Sequence, residues 1–183
     1  MRQAHWLNST RKPPPTSKEQ STMKHVDIET LVPASDADLV FDRICDFSRY
    51  AEFTDAVQDI TVRSMPDGVL ESEWSVHFRN GILCWSERDR IDRAARSITF
   101  EQLDGDFDQF SGTWSVEPTG TDTRVLFTAV FDLGMPSLEA IIDPIAERAL
   151  RENMESILRG LLGPDVIFSD NGTDTSMLDT VEA

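Results

Sequence analysis

Through the middle of the chain, apolar and polar residues alternate, and the alternation breaks where turn-forming residues stand. From His25 to Pro33, Val26, Ile28 and Leu31-Val32 alternate with polar positions, which predicts a short strand. Ser35 follows in an N-cap setting with Asp38 three residues on, ahead of Leu39, Val40, Ile44 and Cys45 at helical spacing. A second short helix is expected from Ser48 through Tyr50 to Phe53. Six more strands then read as a meander: 57–64, 69–78, 82–92, 97–103, 109–117 and 124–132. Their turn signals include Pro66-Asp67-Gly68, Asn80-Gly81, which suits the positive φ of a tight hairpin, and Pro118-Thr119-Gly120.

The last segments are helical. Residues 137–142 form a short piece, and Asp143 stands as N-cap with Pro144 at the first position of a helix that runs to Leu162, before Gly163-Pro164. Ile145, Ala149, Asn153, Ile157 and Leu161 form one stripe of it, with charged residues on the other faces, so the stripe must be buried. The pattern as a whole predicts an α+β fold: an antiparallel sheet of about seven strands, two short helices after the first strand, and a long C-terminal helix.

Both ends depart from this pattern. Residues 1–22 are polar and carry Pro13-Pro14-Pro15, which reads as a disordered leader, with Met23 as a candidate start of translation. Residues 163–183 read as a disordered acidic tail: from Asp165 onward there are five acidic residues and no basic one. One domain over residues 23–162 remains.

Charge narrows the partners. With 33 acidic against 17 basic residues, the 183-residue chain has a net charge of −16, which argues against nucleic acid and anionic membrane surfaces. No apolar run approaches the roughly 18 residues of a membrane span, and no signal-peptide order is present, so a cytoplasmic protein without stable membrane insertion is expected. Cys45 and Cys84, the only cysteines, read as reduced core thiols. His5, His25 and His77 are scattered, and the expectation is no metal and no cofactor.

The segment Val32-Pro33-Ala34 through Val40-Phe41, Asp46-Phe47, Tyr50 and Phe53, set in this order of elements, resembles the polyketide cyclase/dehydrase and coenzyme Q-binding branch of the START-like helix-grip superfamily. That resemblance implies a curved sheet wrapped around the long helix, with an internal cavity for a hydrophobic molecule. Trp85-Ser86-Glu87-Arg88 resembles a strand of the aromatase/cyclases, which implies Arg88 and Ser86 as catalytic residues facing the cavity. Ile82 and Cys84 stand where that family has tryptophans, and Ala56 stands near the place of an expected tyrosine.

Period-two alternation puts Cys84, Ser86 and Arg88 on one face and Leu83, Trp85 and Glu87 on the other, and leaves open which face is inward. Arg88 would stabilise an enolate oxygen, or else form an outer-face salt bridge, and Arg90 competes with it. Trp74, Val76 and Phe78 share a face, as do Phe110 and Trp114, and both sets suit an aromatic cavity wall or an ordinary core. Cys84, Asn153 and Ile157 complete the candidate ligand contacts. His77 is expected to be exposed, and Glu71, Glu73 and Glu87 read as solvated sheet residues.

Three classes of function follow. The first is a cofactor-free enzyme of the polyketide cyclase/dehydratase type, which cyclises or dehydrates a hydrophobic oxygenated molecule. The second is a carrier of a lipid or isoprenoid quinone. The third is an acidic interaction module with a polyketide synthase component as its partner. A monomer or homodimer fits all three.

Overall fold

The alternating segments are the strands. A computed structural model describes residues 23–169 and contains β1 (Lys24–Val32), β2 (Val57–Ser64), β3 (Val69–Phe78), β4 (Gly81–Asp92), β5 (Ser97–Gly105), β6 (Gln109–Thr119), β7 (Asp122–Asp132) and a two-residue β8 (Ile167–Phe168). They form one curved antiparallel sheet in the order β2-β3-β4-β5-β6-β7-β1-β8. Helices α1 (Ala37–Ile44) and α2 (Glu139–Leu162) join it, with a 3-10 turn at Phe47–Glu52. The chain is thus an α+β helix-grip fold.

The leader over residues 1–22 lies outside the described residues, as does the tail beyond Ser169. Inside the range read as tail, Ile167 and Phe168 instead pair with Leu31 and Thr30 of β1, and this adds an eighth strand. Apolar residues directly after Gly163-Pro164 explain the strand: Val166 is buried, and the Arg159 guanidinium lies 4.5 Å over the Phe168 ring.

Three local expectations change. Asp36, not Ser35, caps α1, its carboxylate accepting from the amides of Asp38 and Leu39, while Ser35 Oγ donates back to the Val32 carbonyl. The hairpin after β3 turns at Arg79-Asn80, because Phe78 pairs with Gly81, and the residue with positive φ is Arg79 (55°). Asp143 does not begin a helix. It is buried within the continuous α2 and its carboxylate faces Lys24 of β1 (3.7 Å), so Pro144 sits inside the helix.

The buried stripe of α2 is also rotated from the predicted one. Ala146 is buried and Ile145 is exposed; further along, Ile157, Leu158, Leu161 and Leu162 are all buried. At about 1.5–3 kcal/mol for each large side chain removed from water, this burial outweighs any intrinsic helix propensity, so α2 owes its stability to the sheet. Arg151 Nη1 fastens it further by donating to the Asp27 carbonyl of β1 (2.9 Å).

Glycine sets two close approaches. A Cβ on Gly160 would lie 2.1 Å from the Phe53 ring, so the bare backbone lets the 3-10 segment pack on α2. A Cβ on Gly112 would lie 2.3 Å from Phe100 Cζ, so this glycine lets Phe100 lie flat across β6. No helix among the described residues is long and apolar enough to cross a membrane.

Candidate functional site

The upstream half of α2 does not close fully onto the concave face of the sheet, and a cavity of about 110 Å³ lies between them. Its wall is aromatic. Trp74 of β3 and Trp85 of β4 are directly opposed across the hairpin and stack with centroids 5.6 Å apart and planes 1° apart. Phe107 and Phe110 meet the far side of Trp85 edge-on at 5.5 and 5.6 Å, and Phe100, Phe127 and Phe131 continue the wall. Ala146, Ala149, Leu150, Asn153 and Met154 form the α2 side. His77, exposed at the end of the β3–β4 hairpin, marks the mouth together with the half-buried Phe78.

Two carboxyl groups interrupt this apolar lining. Glu87 and Asp89 follow Trp85 at period two on β4, so they point inward, with 5% and 2% of their surface exposed. Ser72 of β3 lies between them: its Oγ is 3.1 Å from Asp89 Oδ2 and 3.5 Å from Glu87 Oε1, and it accepts the Trp74 indole N–H at 2.8 Å. The Trp85 indole N–H donates to Glu87 Oε2 at 2.8 Å.

Burial disfavours the charged forms. Loss of water, and then the neighbouring Asp89, push the Glu87 carboxyl up to about 8, against the pull of the indole and hydroxyl donors. Loss of water likewise pushes Asp89 up to about 7, opposed by Ser72. Among the described residues, no lysine or arginine lines the cavity. Tyr50, also in the lining, donates its hydroxyl to the Ile44 carbonyl (2.7 Å), and burial holds it far above its ordinary range. The site can therefore hold or move a proton close to neutral pH beside an apolar molecule.

Residues 33–158 match the family described as polyketide cyclase / dehydrase and lipid transport. The chain belongs to this family. Among solved structures, the fold is similar to TTHA0849 from Thermus thermophilus, at 26% identity and a TM-score of 0.68 over 75% of this chain and 94% of that one. It is also similar to the Zhui aromatase/cyclase from Streptomyces sp. R1128, at 22% identity and a TM-score of 0.68 over 78% of this chain and 93% of that one. A START superfamily protein from Mycobacterium smegmatis shares the fold at 17% identity and a TM-score of 0.62, over 76% of this chain and 96% of that one. No curated protein sequence matches the chain.

This polyketide cyclase/dehydrase family member orients β4 against the expectation drawn from the aromatase/cyclase strand. Arg88 lies on the convex face, where Nη2 donates to Glu71 Oε1 at 2.7 Å across the β3–β4 ladder. Ser86 Oγ is on the same outer face, 3.4 Å from the Asp104 carbonyl. Cys84 is exposed there too, its Sγ 3.6 Å from Ser75 Oγ, which corrects its reading as a core thiol and a ligand contact. Arg90 faces outward toward Glu101 at 3.6 Å. None of these four side chains lines the cavity.

Trp74, Val76, Phe78, Phe110, Trp114 and Asn153 do line it. Asn153 Oδ1 accepts from Thr54 Oγ1 (2.8 Å), which fixes the amide. Ile157 is fully buried in the core but is not part of the cavity wall. Glu87, expected to be a solvated sheet residue, is instead buried, and Asp89 is buried beside it. A signal for both was present, since they continue the phase of Trp85 along β4.

Proposed function

We propose that the cavity takes a neutral, hydrophobic, oxygenated small molecule and that the protein promotes its cyclisation or dehydration by proton transfer. The observation that carries this reading is the buried Glu87–Asp89 pair set into an otherwise aromatic wall. A simple apolar container has no need of two buried carboxyls, which are costly to desolvate. With no lysine or arginine in the lining among the described residues, an anionic ligand is disfavoured. A carbonyl or hydroxyl oxygen finds donors in a protonated carboxyl and in the Asn153 amide nitrogen. The likeness to an aromatase/cyclase is in keeping with such a substrate, and confinement of one conformer would supply much of the rate.

The cavity volume is of the same order as the roughly 150 Å³ space that accepts one benzene ring, so a longer ligand would extend through the mouth. Carriage of an apolar molecule without chemistry is the second reading, favoured by how few of the lining residues are polar.

Binding is tested by quenching of tryptophan fluorescence with the aldol of benzaldehyde and acetone, a neutral one-ring β-hydroxy ketone, and with palmitate. Turnover is followed by the ultraviolet absorbance of benzylideneacetone. Saturable binding and dehydration of the aldol support the enzyme reading. Binding without turnover leaves the carrier, and palmitate binding more tightly than the ketone would overturn the preference for a neutral ligand.

A further inference from the structure

We infer that Glu87 and Asp89 hold a single proton between them, passed through the Ser72 hydroxyl, and work as a paired acid and base on a β-hydroxy carbonyl compound. This rests on the reading of the cavity as a site for a neutral oxygenated ligand, and assigns the substrate class and the division of labour within it.

The geometry carries the argument. A serine oxygen has one hydrogen to give and two lone pairs. The Trp74 N–H occupies one lone pair of Ser72 at 2.8 Å, and both carboxyls stand around what is left, at 3.1 and 3.5 Å. Ser72 satisfies both neighbours only by donating to one carboxylate and accepting from the other carboxyl, which must then carry a proton. A fully ionised pair would put two negative charges around one hydroxyl in an almost water-free space. A fully protonated pair would carry a second acid hydrogen that Ser72 cannot receive, because the Trp74 N–H and the first carboxyl already take its two lone pairs. One shared proton is the state in which every group around Ser72 has a counterpart.

The surroundings agree. The titratable groups facing the pair from the elements packed against it are Tyr50 and Cys45, both pushed up by burial, and Asp46 faces Tyr50. The upward displacement of both carboxyls is in the same sense.

The chemistry balances. Asp89 as carboxylate takes the proton from the carbon between the carbonyl and the carbinol. That C–H pair becomes the new C=C bond as the C–O bond breaks, and Glu87 as carboxyl delivers its proton to the departing oxygen, releasing water. The pair still holds one proton afterwards, now on Asp89. Transfer through Ser72 restores the start, without cofactor or co-reactant. The catalytic residues are then Glu87 and Asp89, and Ser72 is a positioning residue that resets them.

Two measurements on the full chain decide this. The first is the infrared carbonyl stretch of protonated carboxyls, recorded from pH 5 to 9 without ligand. The wild type should keep one buried protonated carboxyl at pH 7, assigned by its loss or shift in Glu87→Gln and Asp89→Asn, and altered by Ser72→Ala but recovered in Ser72→Thr. Absence of any protonated carboxyl at pH 7 overturns the inference. The second is dehydration of the benzaldehyde–acetone aldol. Each carboxamide variant should lose on the order of 100-fold in kcat/KM while still binding the aldol, and Ser72→Ala should change the pH profile, with recovery in Ser72→Thr. Full activity in either carboxamide variant overturns it. Should the aldol fail to quench the tryptophans at all, the ligand reading fails alone, and the infrared titration still decides whether the proton is shared.

Discussion

Replacing Glu87 by glutamine removes one ionisable group while preserving its shape. The amide oxygen can still accept from Trp85 and the amide nitrogen can still donate toward Ser72. The consequence for stability depends on pH, and its sign follows from proton binding. The folded protein holds the Glu87 carboxyl near 8, whereas the unfolded chain lets it ionise near 4.5. Between those values the folded state carries the extra proton, so raising the pH through that window favours unfolding.

Over the full window the difference amounts to about 5 kcal/mol, at roughly 1.4 kcal/mol per pH unit. From pH 5.5 to 8.5 it amounts to about 3 kcal/mol, because the change is under way at the lower pH and levels off above 8. Urea unfolding of both proteins at pH 5.5, 7 and 8.5 measures it. Glu87→Gln should gain on the wild type by about 3 kcal/mol between the first and last pH, with unchanged m-values. Asp89 titrates in both proteins but loses its coupling to Glu87 in the variant, so the difference reads the titration of the pair. A difference between the two proteins that stays constant within about 0.5 kcal/mol would mean that Glu87 is charged at neutral pH, and would refute the reasoning.

Arg88→Ala removes a cross-strand ion pair on the convex face, so stability should fall by no more than about 1 kcal/mol, and binding of the aldol should be unchanged in the fluorescence assay. A large loss of binding would return Arg88 to the cavity. Gly112→Ala places a methyl 2.1 Å from the Thr128 carbonyl oxygen and 2.3 Å from Phe100 Cζ. It should cost about 1–3 kcal/mol in urea unfolding and weaken aldol binding by pushing Phe100 into the cavity.

The cavity wall was legible in part because alternation along a strand sorts residues reliably. Alternation places Trp74, Val76 and Phe78 on one face and separates the two sets on β4, as the structure has them. What alternation within each strand leaves open is how the faces of β3 and β4 combine. In an antiparallel hairpin with a two-residue loop, directly opposed residues point to the same side of the sheet. An even-numbered residue of β3 must then share a face with the odd-numbered residues of β4. Trp74 in the cavity therefore carries Trp85, Glu87 and Asp89 in with it and sends Ser86 and Arg88 out. The parity is the same whether the loop is Asn80-Gly81 or the observed Arg79-Asn80. An ionisable Glu87 is expected to be solvated on composition alone, and the register overrides that expectation.

The sequence by itself determined the order of the elements and the limits of nearly every strand, because alternation, turn residues and helix stops are local properties with a short physical range. It determined also that Cys84, Ser86 and Arg88 share one face. What only the tertiary structure decided was which face is concave, where α2 stops short of the sheet, and how Ser72, Glu87 and Asp89 meet. Those outcomes depend on how a curved sheet closes over a helix, through contacts between residues distant in sequence. Desolvation, which moves the two carboxyls toward neutral pH, exists only once that closure has excluded water.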